Sequence, residues 1–408
     1  MLAIPWYFAK SNQMETFGLY YIVVSLLSFF WVPYCGALID KFDRKKIFLG
    51  ITAVCGLLIG AIAGYGHSSE GLSLLLVASV FIITFLNYNI HYPSLYAFVQ
   101  EITEPKYYGK ITSILEVAGQ LTTMCAGAVG AFLLEGCSDG TLDIMGRTMT
   151  LPFQFEAWEI YEIFTLDAIT YLISFVFILS IRYVPLIIRR AETGNIITRL
   201  RTGIRYLKNE SLMFIFGIST HAVFIVILVE GFFLSAIYVS NHLEAGGDTY
   251  SFAGMFYALG AIFSGIFIRK IFNRRGISGS IFNMTLMAAV VCIAIAMTKS
   301  VMLFMLAMLF FGITNAGVRI QRVTYLFKNI PNQVYGRAGS VFFLVNILFR
   351  VILLGLFSLS FFSEANNVIY AFHILAIFLL LAAGIQFVYL RRFEAYSGSN
   401  SDLDIGKT

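Results

Sequence analysis

Two stretches decide how this chain is built: Tyr92-Pro-Ser-Leu-Tyr-Ala-Phe-Val-Gln-Glu-Ile-Thr-Glu-Pro-Lys-Tyr-Tyr-Gly-Lys-Ile-Thr-Ser113 and Arg319-Ile-Gln-Arg-Val-Thr-Tyr-Leu-Phe-Lys-Asn-Ile-Pro-Asn-Gln-Val-Tyr-Gly-Arg-Ala-Gly-Ser340. Each closes an apolar run, passes an Ile and a Pro-containing turn, and opens the next run with Tyr-Gly-basic-x-x-Ser. Tyr108, Gly109, Lys110 and Ser113 correspond to Tyr335, Gly336, Arg337 and Ser340. At nearly the same offset, Gly36-Ala-Leu-Ile-Asp40-Lys-Phe-Asp-Arg44-Lys-Lys46 is echoed by Gly265-Ile-Phe-Ile-Arg269-Lys-Ile-Phe-Asn-Arg274-Arg275. Self-similarity at a fixed offset is the mark of a duplicated unit. The chain therefore reads as two parallel halves joined by its most basic loop.

Around these stretches the sequence is almost continuously apolar. The 408 residues are 59% hydrophobic and 12% charged, with a mean hydropathy of +0.81; soluble globular chains are about one-quarter charged. Apolar runs fall at 17–39, 46–66, 71–97, 111–135, 160–184, 211–239, 250–272, 277–298, 301–327, 337–361 and 367–390. A helix needs roughly 20 residues to cross the hydrocarbon layer, and these eleven runs meet that length. Backbone polar groups find no water in that layer, so spanning segments are helices or closed barrels. Unbroken runs, rather than ten-residue alternating ones, exclude the barrel. The chain is an all-α polytopic membrane protein on this reading, with the lipid bilayer as its first partner.

The loops alternate in charge. Lys41, Arg44, Lys45 and Lys46 follow the first run, Lys106 and Lys110 the third, and Arg182, Arg189, Arg190, Arg199, Arg201, Arg205 and Lys208 the fifth. Arg269, Lys270, Arg274 and Arg275 follow the seventh, Lys328 and Arg337 the ninth, and Arg391 and Arg392 the last. The intervening loops hold little beyond Lys10, Arg147 and Lys299. Basic loops stay in the cytoplasm, so the expected location is a bacterial inner (plasma) membrane with the C-terminus cytoplasmic. The net charge of +5 is read as this loop bias and not as a nucleic-acid surface. An odd number of runs leaves the N-terminus outside, and the opening Met1-Leu-Ala-Ile-Pro-Trp-Tyr-Phe-Ala9 reads as the outer half of one more helix. The expectation is that roughly 15–25 residues precede it, the balance of one span. Restoring them makes six spans plus six. The division expected is 1–184 for the N-terminal half, 185–210 for a cytoplasmic linker, 211–392 for the C-terminal half and 393–408 for a cytoplasmic tail.

With the spans in place, Gly36-x-x-x-Asp40-x-x-x-Arg44-Lys45-Lys46 resembles the signature loop of the major facilitator superfamily, with Asp43 where Gly is common. The likeness covers 17–392. It implies the major facilitator fold, two parallel six-helix halves that carry a small-molecule substrate by alternating access, and a conformational latch formed by Gly36, Asp40 and Arg44. The Arg-containing ninth run and the Pro331-x-x-x-Tyr335-Gly336-Arg337 turn are similar to the branch that exports drugs, macrolides and siderophores. In many exporters of the family helix 5 carries a Gly-Pro pair within a Gly-rich motif; this chain has Gly119 and Gly127-Ala-Val-Gly130 without the Pro. Proton-coupled export of a small amphipathic compound is the leading expectation, favoured by a Phe-rich interior with few charges, and a monomer would suffice for it. Import of a nutrient or siderophore, and a non-transporting receptor on the same fold, stay open as alternatives.

Ionisable residues inside spans are costly and mark function by default. Glu230, Arg350, Asp167 and Glu116 are the candidates for proton coupling or substrate contact. Glu230 is the chosen proton carrier, and Arg350 the contact for an anionic group. Asp167 reads equally well as a structural hydrogen-bonder, and Glu116 as a partner of Arg319 or Arg322. Asn87, Asn89, Gln120, His221 and Asn315 are the polar candidates for a cavity, and Glu156, Glu159 and Glu162 form an acidic group before the fifth run. Lys45 and Lys46 are expected only to fix topology. Cys35, Cys55, Cys125, Cys137 and Cys292 show no ligand spacing, so no disulfide, metal or cofactor is expected. A phosphate-binding Gly-x-x-x-x-Gly-Lys-Ser loop is missing, and so are metalloprotease and nucleophile-elbow motifs; the chain is not read as an enzyme.

Overall fold

A computed structural model of the chain describes residues 3–102, 104, 108–136, 141–144, 147–150, 154–182, 196–272, 276–364 and 366–405. Helices α1 (Ala3–Lys10), α2 (Met14–Lys41), α3 (Arg44–Ser69), α4 (Leu74–Ile102) and α5 (Tyr108–Glu135) come first. A small antiparallel hairpin follows, β1 (Thr141–Ile144) pairing with β2 (Arg147–Thr150) so that Thr141 faces Thr150. Then come α6 (Ile160–Ser180), α7 (Ile196–Asn209), α8 (Ser211–Val229) and α9 (Ser235–Ile237). The chain ends with α10 (Gly247–Phe272), α11 (Gly276–Ala296), α12 (Val301–Asn329), α13 (Asn332–Phe357), α14 (Ser360–Ser363) and α15 (Val368–Ile405). Among the described residues, ten helical runs are long and apolar enough to cross a membrane. Helix α5, 28 residues long, covers the run at 111–135.

Apolar side chains cover the outside as well as the inside. Phe30, Leu57 and Val388 are 75%, 75% and 73% exposed. A water-soluble surface does not carry such contiguous apolar area; a surface facing lipid tails does.

The chain divides into two compact units, Met1–Ala118 with Cys125–Thr193 and Ala245–Ser251, and Gly119–Met124 with Gly194–Glu244 and Phe252–Thr408. In the first, α3 and α6 pack through small residues. A Cβ on Gly56 would lie 2.9 Å from the Cβ of Tyr171, and one on Gly60 3.6 Å from that of Ala168. Spacing small residues four apart lets two membrane helices approach closely. Helix ends are capped by side chains. Asp43 accepts the backbone N–H of Lys46 (3.1 Å) and starts α3, as short acceptors at N-caps do. The Glu162 carboxylate accepts the N–H of Glu159 (2.8 Å) at the start of α6, giving that part of the acidic group a capping role. Lys45 donates to the carbonyls of Leu179, in the last turn of α6, and of Ile181, its C-cap, both at 2.8 Å. Lys45 therefore does more than fix topology: it satisfies two carbonyls that the helix end leaves without amide donors.

The second unit is tied by aromatic packing and buried hydroxyls. Phe216 of α8 stacks on Tyr325 of α12 at 3.9 Å, and the Tyr325 hydroxyl donates to the Phe393 carbonyl of α15 at 2.8 Å. Helices α10 and α12 cross where a Cβ on Gly260 would fall on the Leu309 carbonyl oxygen, and one on Gly312 on that of Tyr257. Beside the crossing, the Asn315 amide donates to the Tyr257 hydroxyl at 2.6 Å.

Candidate functional site

Helix α8 is apolar along most of its length and turns polar at Ser219, Thr220 and His221. Their carbonyls already serve the helix, yet two are also approached from neighbouring helices. Arg322 of α12 donates Nη1–H to the Thr220 carbonyl at 3.0 Å, and Gln386 of α15 donates Nε2–H to the Ser219 carbonyl at 3.0 Å. His221 Nδ1 lies 2.5 Å from the Gly217 carbonyl; a carbonyl only accepts, so this nitrogen carries a proton and Nε2 faces outward from the turn. Phe342 of α13 lies against the His221 ring, centroids 5.6 Å apart, and its edge occupies the space a Cβ on Gly217 would need.

Successive turns of α13 beyond Phe342 bring Asn346 and then Arg350, 2% and 3% exposed. Residues four apart on a helix share a face, so the amide and the guanidinium follow Phe342 along one stripe. Neither amide atom of Asn346 has a hydrogen-bond partner among the described residues.

Nine residues beyond His221, about 13 Å along the helix at 1.5 Å per residue, the α-helix gives way to a π-turn over Glu230–Leu234. Glu230 is fully buried. Its Oε1 accepts the Ser235 hydroxyl, and its Oε2 has no partner among the described residues. Cys292 of α11 is an electrostatic neighbour. A second π-turn spans Tyr238–His242. There the Tyr238 hydroxyl reaches the carbonyls of Ile295 (2.8 Å) and Thr298 (2.6 Å), and Asn241 donates to the Ser363 carbonyl at 2.7 Å. His242 lies between the Thr298 carbonyl (3.0 Å) and the Asn366 Oδ1 (3.1 Å). The C-terminal part of this span is thus clamped to the α11–α12 and α14–α15 connections. π-turns inside longer helices are often found at functional sites.

In the first unit, Asn87 of α4 donates to the Tyr171 hydroxyl of α6 at 3.0 Å, and half-buried Asp167 is an electrostatic neighbour of both Tyr171 and Cys55. The structure thus gathers Asp167 and Asn87 around Tyr171. Asn89 donates to Ser28 at 2.9 Å, tying α4 to α2. Gln120, which belongs to the second unit, is half-buried on α5. Arg44 is buried and donates to the Phe42 carbonyl at 2.8 Å. The surroundings of Gly36, the side chains of Asp40 and Glu116, and all of Cys137 lie outside what is described. Among those described, no three His, Cys, Asp or Glu side chains come together as metal ligands.

Sequence reading overlooked Asn346, Ser235, Tyr238 and His242. The signal for Asn346 was present, since it precedes Arg350 by one helical turn. The others depend on a π-turn, whose register shift leaves no mark in a hydrophobic pattern.

Comparison with known proteins fits this architecture. Structures similar over nearly the whole chain include the nucleoside transporter NupG (TM-score 0.61, 14% identity, 97% of this chain and 94% of that one). A bacterial homologue of the iron transporter ferroportin in its inward-facing state gives 0.63 at 14% identity, with 94% and 90% covered. A D-xylose-proton symporter gives 0.65 at 13% identity, with 94% and 91% covered. At such identities the likeness establishes the fold. No curated protein sequence matches the chain. The sequence model of the Major Facilitator Superfamily, in contrast, matches residues 1–353, and on that extent of match the chain belongs to this family of membrane transporters.

Proposed function

We propose that this protein is a proton-coupled secondary transporter that exports a small amphipathic compound across a bacterial plasma membrane by alternating access. The observation that carries the reading is Glu230: a carboxyl group fully buried in a membrane span, set in a π-turn, with one oxygen held by Ser235 and the other without a partner among the described residues. Ionisable groups are kept at such depth where they do work, and a carboxyl can take up and release a proton as access to it alternates. The substrate contacts in this reading are the Phe342, Asn346 and Arg350 stripe of α13 with His221 of α8. This combination of an aromatic wall, an amide and a cation suits a compound with an apolar body and a polar or anionic group. Outward direction is supported by the resemblance of the Pro331–Arg337 turn to the exporter branch. The basic linker, and the Arg391-Arg392 pair that closes the last span, fit the cytoplasmic side, and one chain suffices for the cycle.

Everted vesicles carrying the protein, energised and loaded with a dye that reports the pH gradient, test the reading. On adding lipophilic cations, macrolides and siderophores in turn, at least one compound is expected to dissipate the gradient with the wild type and not with Glu230→Gln. Equal dissipation by both proteins removes Glu230 from the coupling. Accumulation only in right-side-out vesicles reverses the direction.

A further inference from the structure

Helix α7 joins the two halves, and its two faces differ sharply. At 100° per residue, Gly203, Tyr206 and Leu207 fall within one arc of about 100°, while Arg201, Ile204, Arg205 and Lys208 fall within the opposite one. The first arc is the packed one. Gly203 and Leu207 are buried, and a Cβ on Gly203 would fall on the backbone carbonyl of Arg337 at the start of α13. The second arc is open. Arg201, Arg205 and Lys208 are exposed, and Ile204, at the edge of this arc nearer the packed one, is 53% exposed. None of the three cations has an ion pair or hydrogen bond among the described residues, and α7 itself contains no carboxylate. Only Glu210 separates α7 from the span that starts at Ser211, so the open face sits at the membrane boundary.

We propose that this face of α7 is a docking surface for the headgroups of anionic phospholipids, with Ile204 entering the acyl boundary and Arg201, Arg205 and Lys208 holding the phosphates. Three cations without a partner among the described residues, beside one exposed aliphatic side chain at the height of the headgroups, match an anionic lipid in both charge and polarity. An acidic peptide would use the cations but leave Ile204 in water. Because α7 is seated directly on the α13 backbone at Arg337, lipid bound there bears on the helix that carries Asn346 and Arg350.

The test uses the purified full chain and measures retention of phosphatidylglycerol against phosphatidylcholine by native mass spectrometry. Preferential binding of phosphatidylglycerol is expected for the wild type and for Arg391→Gln/Arg392→Gln, which removes two exposed cations elsewhere. The variant Arg201→Gln/Arg205→Gln/Lys208→Gln is expected to bind it about a hundredfold more weakly, at about fivefold per charge. Ile204→Asp is expected to lose the same preference with all three cations in place. Should the triple variant misfold, Arg205→Glu alone reads the same loss. The proposal is overturned if the triple variant retains phosphatidylglycerol like the wild type. It is equally overturned if millimolar inorganic phosphate displaces the lipid and Ile204→Asp has no effect, which marks a site for free anions, or if the variants instead lose a dimer, which assigns the face to a second copy of the chain.

Discussion

Ser235 bonds Glu230 twice: its backbone N–H reaches the Glu230 carbonyl and its hydroxyl reaches the Glu230 carboxylate. In a regular α-helix a residue five positions on lies about 140° around the axis, too far for the side chains to meet. The wider π-turn brings the fifth residue back over the first, so backbone register and side-chain bond support one another.

Replacing Ser235 by Ala removes the one hydroxyl that, among the described residues, serves the fully buried Glu230 carboxyl group. Leaving a buried polar group without its partner costs about 1–3 kcal/mol. Ser235→Ala is therefore expected to lower the thermal midpoint of the detergent-solubilised protein, while Ser235→Thr, which keeps the hydroxyl, stays near wild type. Reaction of the buried thiol of Cys292, a neighbour of Glu230, reports the opening of this region. Equal midpoints for Ala and Thr would show that the hydroxyl contributes nothing there.

The crossing of α10 and α12 makes a sharper prediction, because glycines on the same helix differ only in what faces them. A Cβ on Gly260 or Gly312 meets backbone, which cannot move aside as a flexible side chain can. Gly254 and Gly265 of α10 have open space around the same position. Gly260→Ala and Gly312→Ala are expected to destabilise by about 2 kcal/mol or more, in the range of overpacked sites. Gly254→Ala and Gly265→Ala are expected to be neutral or to stabilise by up to about 1 kcal/mol through helix propensity. Thermal midpoints of the four variants decide it, and a uniform response would mean that the crossing is loose.

The spans were legible because the bilayer imposes one length and one polarity on them, and the duplication was legible because Tyr-Gly-basic-x-x-Ser recurs at both helix starts. Glu230, Arg350 and His221 were legible as polar residues in apolar runs. The contacts around them were not. Which carbonyl Arg322 reaches, or which ring lies on His221, depends on how α8, α12 and α13 rotate against each other, and hydropathy carries no such information. Span 211–239 was read as one regular helix; the structure extends it to His242 with two π-turns, whose extra residues do not disturb an all-apolar pattern.

Lys45 illustrates a role hidden in a charge cluster. Its ammonium satisfies the carbonyls of Leu179 and Ile181 at the negative end of the α6 dipole, an arrangement worth about 0.3–1 kcal/mol. Lys46 is exposed and continues α3. Lys45→Glu places a negative charge against those carbonyls and is expected to lower the midpoint of the first unit, read by labelling of Cys35 and Cys55. Lys46→Glu is expected to leave it unchanged. Equal effects of the two substitutions would return Lys45 to a purely topological role.

Asn346 sets stability against function. Its amide is buried at 2% exposure with neither atom partnered among the described residues, a loss of about 1–3 kcal/mol for each unmade bond. An apolar residue of similar size removes that cost, so Asn346→Leu is expected to raise the thermal midpoint. If the amide exists to meet substrate, the same variant is expected to lose transport by tenfold or more while Glu230 remains in place, the trade-off typical of residues kept for activity at the expense of stability. Counterflow of a substrate found in the vesicle assay, run without a proton gradient, isolates binding and translocation from coupling. Asn346→Leu is expected to fail in counterflow, whereas Glu230→Gln is expected to pass it and fail only when a gradient must be coupled. A stabilised Asn346→Leu protein that still exchanges substrate at the wild-type rate would remove α13 from the substrate path.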